Sequence, residues 1–274
     1  MATEDLTDFT IVDHTRDPAF YRRFLDEGNA LPVIRESKVL LLDALRLVPG
    51  GRALDVGCGL GDDVFELAER VHGGEAVGVD LSEGMIEEAR RRVRPGLSAS
   101  FQVADVRALP FADGAFDAVR TERLLMHVPE VTRALAEMVR VTRPGGRIAA
   151  FDVDWDGFFI DNPDRETTRA VVRSFSDHIK NGWIGRQLPR LFAENGLTEV
   201  SVAPRVLFVP FPFFELLVGG HLTRLAEGGA ITRRSLDDWS ASLAEAHAAG
   251  RFCAGITAFI VAGSRAQSDE AERR

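Results

Sequence analysis

The stretch ALDVGCGLG, residues 53–61, constrains this chain most. A short apolar run at residues 52–56 reads as a buried strand, and Gly57, Gly59 and Gly61 follow within five positions. Residues 60–70 then take up helical periodicity. A strand that turns through glycines into a helix is the junction at which a parallel α/β sheet lets backbone approach a ligand closely. The same rhythm continues downstream. Strands are expected at 76–80, 100–103, 118–120 and 147–153, the last after the turn Pro144-Gly145-Gly146. Helices are expected at 82–93, with Ser82 as N-cap, and at 130–141. Strands alternating with helices imply a mostly parallel sheet covered on both faces.

The flanks extend this plan. Residues 17–47 read as helical with a break at Pro32. Beyond residue 154 come helices at 164–179 and 187–194, a strand at 198–209, helices at 214–225 and 234–248, and a last strand at 251–262. The two closing strands are expected to be antiparallel neighbours. The predicted fold is therefore a Rossmann-like α/β domain with a mostly parallel seven-stranded sheet, an antiparallel last strand, helices on both faces and helical cap insertions. Residues 1–50 form a helical segment contributing to the cover of the site. Residues 51–265 form the sheet domain, with insertions at about 156–185 and 210–249, and residues 266–274 a frayed tail.

The glycine turn also limits the ligand. A dinucleotide fingerprint needs G-x-G-x-x-G, and after Gly57 and Gly59 the last position is Asp62. Charge argues the same way, because Asp55, Asp62 and Asp63 crowd a turn where a pyrophosphate would need positive potential. S-adenosyl-L-methionine has no phosphate and carries an ammonium and a sulfonium, so acidic surroundings suit it. Asp80 ends the second strand, 19 residues after Gly61, where a ribose-binding carboxylate belongs. Asp105 ends the third and could accept from an adenine amino group, with Leu81, Met85 and Val106 as apolar walls. Cys58, between the glycines at the cofactor turn, reads as a small core residue rather than a nucleophile, since no histidine lies near it in sequence and burial keeps a thiol neutral.

The ordered strings ALDVGCGLG, GVDLSEGMIEEAR, VADVRALPFADGAFDAVRTERLLMHVPE and RVTRPGG resemble the successive motifs of class I, UbiE-like small-molecule methyltransferases. The resemblance runs from about residue 21 to residue 155. It implies methyl transfer from S-adenosyl-L-methionine, with S-adenosyl-L-homocysteine as product. It also implies that Gly57 and Gly59 pass the methionine moiety, that Asp80 holds the ribose and that Ala104, Asp105 and Val106 meet the adenine. Thr121 would lie near the transferred methyl, Arg35 would face the cofactor carboxylate and Tyr21 would cover the cofactor.

For proton removal His127, in LLMHV, is the leading candidate, and a packing histidine at a helix start is the competing reading. Asp152 and Asp154, at the carboxyl end of a parallel strand, could orient an acceptor. The D-x-D-x-D-G string from Asp152 mimics a calcium loop, but its twelfth position is Pro163, so no metal is expected there. Magnesium held by Asp152, Asp154 and Asn162 ranks low. Aromatic residues crowd the insertions: Trp155, Phe158, Phe159 and Trp183 in or beside the first, and Phe208, Phe211, Phe213 and Phe214 in or beside the second, with Leu216 and Leu217. A cap built from them suits an apolar or planar small molecule, and His221 and Arg224 could face the same pocket.

A net charge of -9 and the lack of a dense basic stretch exclude nucleic acid as a partner class. Two cysteines make no disulfide framework, the amino terminus lacks a secretory pattern and no apolar run reaches the roughly 20 residues of a bilayer span. A cytoplasmic enzyme is expected, with no membrane partner and with homo-oligomerisation left open. Two other functions stay compatible with these residues: a cofactor-dependent cyclisation or decarboxylation without methyl transfer, and a non-catalytic nucleoside-binding domain.

Overall fold

Seven strands join in the order β3-β2-β1-β4-β5-β7-β6 in the computed structural model, which describes residues 9, 12–15, 17–229 and 231–267. They are β1 (Arg52–Val56), β2 (Glu75–Asp80), β3 (Ala99–Val103), β4 (Phe116–Glu122), β5 (Thr142–Ile160), β6 (Leu197–Phe208) and β7 (Ala254–Arg265). Strands β1 to β5 pair in parallel, whereas β7 runs antiparallel to both β5 and β6. The antiparallel closing pair and the mostly parallel sheet are as the sequence implies. The part of the expected tail beyond residue 267 lies outside the described residues, as do residues 1–8 of the amino-terminal segment.

The central strands are apolar because both of their faces are covered. Leu54, Val79, Val119 and Ile148 have no solvent exposure, and each such burial stabilises the sheet by about 1.5 to 3 kcal/mol. Helices α3 (Asp62–Arg70), α4 (Glu83–Arg91), α5 (Val131–Val141) and α7 (Ile184–Glu194) pack along it. Ser82 caps α4, its hydroxyl accepting from Met85 N at 3.0 Å, as its position before the apolar-periodic run suggested.

The amino-terminal helices are α1 (Pro18–Ala30) and α2 (Pro32–Ala44). Each starts with a proline at its first turn, where the missing N–H costs nothing, so Pro32 divides the helical stretch as expected. The cap consists of α6 (Arg165–His178), α8 (Phe211–Glu227) and α9 (Arg233–Ala248). One boundary differs: β5 continues through Ile160, pairing Phe158, Phe159 and Ile160 with Ile256, Gly255 and Ala254 across an irregularity after Asp154. The first insertion therefore begins as sheet. Local turn signals in Trp155-Asp156-Gly157 masked a pairing that only the distant β7 supplies.

Strand β1 is followed in the sheet by β2 on one side and β4 on the other, so the chain reverses its winding there. Open α/β sheets bind ligands at this switch point, beyond the carboxyl ends of the strands.

Candidate functional site

A cavity of about 240 Å³ opens at that switch point, with Gly57, Cys58 and Gly59 after β1, Asp80 and Leu81 at β2, Ala104, Asp105 and Val106 after β3, and Glu122 to Leu124 at β4 on its wall. The glycines serve different ends. Gly57 has φ +75, and a Cβ there would stand 2.8 Å from the Leu124 side chain. Gly61 sits off the wall as the left-handed N-cap of α3, against the Phe101 ring. Gly59 alone is open: the nearest atom to a Cβ built on it is Leu25 Cδ1 at 3.6 Å, so its backbone is the one a ligand can approach.

Asp80 is half-buried behind this turn. Its Oδ2 accepts from Gly59 N and its Oδ1 from Ser82 N, both at 2.9 Å, and burial outweighs those bonds to raise its pKa above the ordinary carboxylate value. The carboxylate thus braces the loop and faces the cavity together. Asp105 also lines the cavity, but Arg107 engages both of its oxygens, at 3.0 and 2.6 Å, and holds its pKa low. Met85 completes this end.

The floor is ionic. Arg120, with no exposed surface, reaches Glu122 at 2.6 Å, Asp63 at 3.1 Å and Asp55 at 3.4 Å. Lys38 of α2 pairs with Asp63 and with Glu122. Arg123 joins Glu122 at 2.9 Å to Asn29 of α1 at 2.7 Å. Three cations thereby neutralise three carboxylates in a buried network, which is the condition for keeping such charges out of water. Burial pushes Asp55 up to about 7. It would also raise Asp63, but Arg120 and Lys38 hold that carboxyl well below its usual range. Burial likewise opposes ionisation of Glu122, and Lys38 leads the cations that bring its pKa down.

The other half of the cavity is apolar. Phe24 and Phe213 stack at 5.1 Å and, with Trp155, Val153, Leu207, Phe208, Val209, Leu217 and Ile256, line it. His127 stands on this side, its ring 5.2 Å from that of Phe9. No helix among the described residues is long and apolar enough to cross a membrane.

Several expected residues lie elsewhere. Thr121 is buried and donates to Val56 O at 2.9 Å, because strand alternation gives Arg120 and Glu122 the cavity face and leaves Thr121 the other. Arg35 is exposed on α2, while Lys38, one turn later, lies on the cavity wall. Tyr21 is buried behind Phe9, edge-on at 5.1 Å, and is not on the wall. Asp152 and Asp154 also lie off the wall, which takes Val153 and Trp155 from the same strand. Asp154 is paired with Arg186 of α7. Asp152 is buried with its Oδ1 accepting from Val153 N, and its pKa is pushed up to about 7 by that burial. Asn162 is occupied by Trp239, Ser242 and Asp164. Of the cap aromatics, Phe158, Phe175, Phe211 and Phe214 pack among one another, and Trp183 is half exposed. His221 is buried against Phe175 and His178, and neither it nor Arg224 is on the cavity wall.

Sequence reasoning passed over Lys38, Arg120, Glu122 and Arg123. A signal was present: Arg120 and Glu122 are charges two apart in a strand flanked by apolar strands, hence on one face and in need of buried partners.

Residues 53–146 match the family described as a methyltransferase domain. The chain is 38% identical over 243 residues to an uncharacterised 37.1 kDa protein in transposon TN4556 of Streptomyces fradiae, covering 87% of this chain and 69% of that one. It is 32% identical over 177 residues to a demethylmenaquinone methyltransferase of Symbiobacterium thermophilum, covering 56% and 70%. With demethylmenaquinone methyltransferases of Beutenbergia cavernae and Renibacterium salmoninarum the match spans less than half of those proteins' length, 42% and 46%. In fold it is similar to a Haemonchus contortus phosphoethanolamine N-methyltransferase solved with S-adenosyl-L-methionine, with a TM-score of 0.61 and 16% identity over 94% of this chain and 59% of that one.

Proposed function

Because the chain belongs to the class I S-adenosyl-L-methionine-dependent methyltransferases, we propose that it transfers the cofactor's methyl group to an O, N or C atom of a small apolar or aromatic metabolite. A cytoplasmic role in a specialised biosynthetic pathway is part of this reading, and two free cysteines are compatible with it. The cofactor is S-adenosyl-L-methionine, and the residues present fit it. Asp80 offers a half-buried carboxylate to a ribose diol, Gly59 leaves its face open, and Ala104 and Val106 line the wall where a flat ring would lie. When bound it supplies an electrophilic methyl on a sulfonium.

One observation carries the reading: the loop braced by Asp80 and the apolar chamber around Phe24 and Phe213 share a single cavity. Displacement at a sulfonium methyl needs the two reactants aligned, and such alignment contributes roughly 7 to 11 kcal/mol. The chamber would hold the acceptor and exclude water. Where the acceptor must lose a proton, His127 is the side chain proposed to take it. The carboxylates on the wall are each held by a cation or a backbone amide, and His127 faces the apolar half.

The test is calorimetric and isotopic. Asp80→Ala should weaken S-adenosyl-L-methionine binding about tenfold, or 1.4 kcal/mol, and unchanged affinity would remove Asp80 from the site. Incubation of candidate aromatic metabolites with cofactor bearing a deuterated methyl should give a labelled product. A product formed without label would replace methyl transfer by a cyclisation or decarboxylation.

A further inference from the structure

A second cavity, of about 320 Å³, lies at the opposite edge of the sheet, beyond the amino ends of β1, β4 and β5. Arg46, Arg143, Arg147 and Arg265 line it with only two carboxylates, Asp117 and Glu199. Two of the four guanidiniums are matched locally. Arg143 pairs with Asp117 at 2.6 Å, and Arg265 donates to the carbonyls of Val139, Arg140 and Thr142, closing the carboxyl end of α5. Arg46 and Arg147 are not so matched. Both lean on the same Glu199 oxygen, at 3.4 and 3.5 Å, and Glu199 is itself 62% exposed.

Arg147 is the telling member. Its side chain is 8% exposed, fixed by bonds to Ser264 Oγ at 2.9 Å and Ala44 O at 3.3 Å. Burial, and Arg46 beside it, hold its pKa below that of an ordinary arginine. A buried cation sharing one distant, solvated carboxylate with a second cation leaves local positive charge uncompensated. Arg46 and Glu199 both adopt left-handed backbone, with φ +50 and +48, two of four such non-glycine residues among the described ones. Non-glycine residues take that conformation only where the surroundings enforce it. Leu45, Leu47, Val48 and Val71 supply an apolar side.

We infer that this cavity is a binding site for a phosphate dianion, bridged between Arg46 and Arg147, with room for a small organic group against Leu47 and Val48. Guanidinium forks match phosphate oxygens by paired hydrogen bonds, and the ligand would displace or supplement the weak Glu199 contact. The site is separate from the cofactor cavity and does not depend on the methyl-transfer reading.

The experiment uses the full chain at fixed ionic strength and pH 7.5, titrated by calorimetry with inorganic phosphate and with phenyl phosphate. Saturable binding is expected, tighter for phenyl phosphate if the occupant is a phosphomonoester and equal for both if it is free phosphate. Glu199→Gln, which removes the competing carboxylate, should tighten binding about fivefold. Arg46→Ala, on an exposed side chain, should weaken it about fivefold. Both variants should keep their S-adenosyl-L-methionine affinity, which shows that they are folded. Absence of saturable phosphate binding by both the wild type and Glu199→Gln, or binding indifferent to Arg46→Ala, overturns the inference.

Discussion

Lys38 of α2 lies 3.1 Å from Glu122 of β4, so the amino-terminal helical pair is tied to the central sheet through the floor of the switch-point cavity. Both side chains are nearly buried, at 13% and 5% exposure, and Lys38 also meets Asp63. The helices preceding β1 therefore supply part of the cavity wall.

Removing that tie should be felt in cofactor binding. Lys38→Ala leaves Glu122 and Asp63 short of a cation in a buried setting, which typically costs a few kcal/mol. The expected result is at least a tenfold rise in the S-adenosyl-L-methionine dissociation constant, about 1.4 kcal/mol. Arg35→Ala, on the exposed side of the same helix, should leave affinity unchanged. Equal effects of the two would mean that the ionic floor does not contribute.

Two glycines of the turn should separate stability from binding. Gly57→Ala places a methyl against Leu124 at a positive φ and should destabilise the fold by about 1 to 3 kcal/mol in denaturant melts. Gly57→Ala with Leu124→Ala should recover part of that loss. Gly59→Ala meets no such neighbour and carries only the strain of its φ of +51, about 1 kcal/mol, so its larger effect should be on cofactor affinity.

Asp152 predicts a pH dependence. Its pKa rises on folding from 3.8 to about 7, so the native state retains a proton that the unfolded chain gives up near pH 4. Stability from this group is present in acid and lost as pH rises through that window, because the folded protein must then ionise a buried carboxyl. Asp152→Asn removes the loss. Its melting temperature should match wild type near pH 4 and exceed it above pH 7, by up to about 4 kcal/mol of stability. A constant offset across this range would contradict the assignment.

For His127 the readout is turnover. His127→Ala should lower kcat by about 10² to 10⁴-fold with an acceptor that must be deprotonated and leave cofactor affinity within twofold. Normal turnover at saturating acceptor would reduce His127 to a packing residue beside Phe9.

The element order was legible because it is written locally. Ala53, Leu54 and Val56 put apolar residues on both alternations of the run 52–56, which became β1, and Ser82 preceded a helical period and became its cap. The reach of β5 was not legible, since its last residues pair with β7 some hundred positions away. Of the expected cofactor residues, those attached directly to strand ends, Asp55, Gly57, Cys58, Gly59, Asp80 and Ala104 to Val106, line the cavity. Those placed by reach across space, Tyr21 and Arg35, do not, and strand alternation turns Thr121 of β4 to the other face.

What the amino-acid order determined by itself was the alternation of strands and helices, the glycine turn and the acidic strand ends, because hydrophobic period and backbone conformation act over a few residues. Tertiary structure alone decided which charges meet. Lys38, Asp63, Arg120, Glu122 and Arg123 come from three separate segments, and whether each is buried, neutralised or exposed depends on partners that only folding brings within a few ångströms.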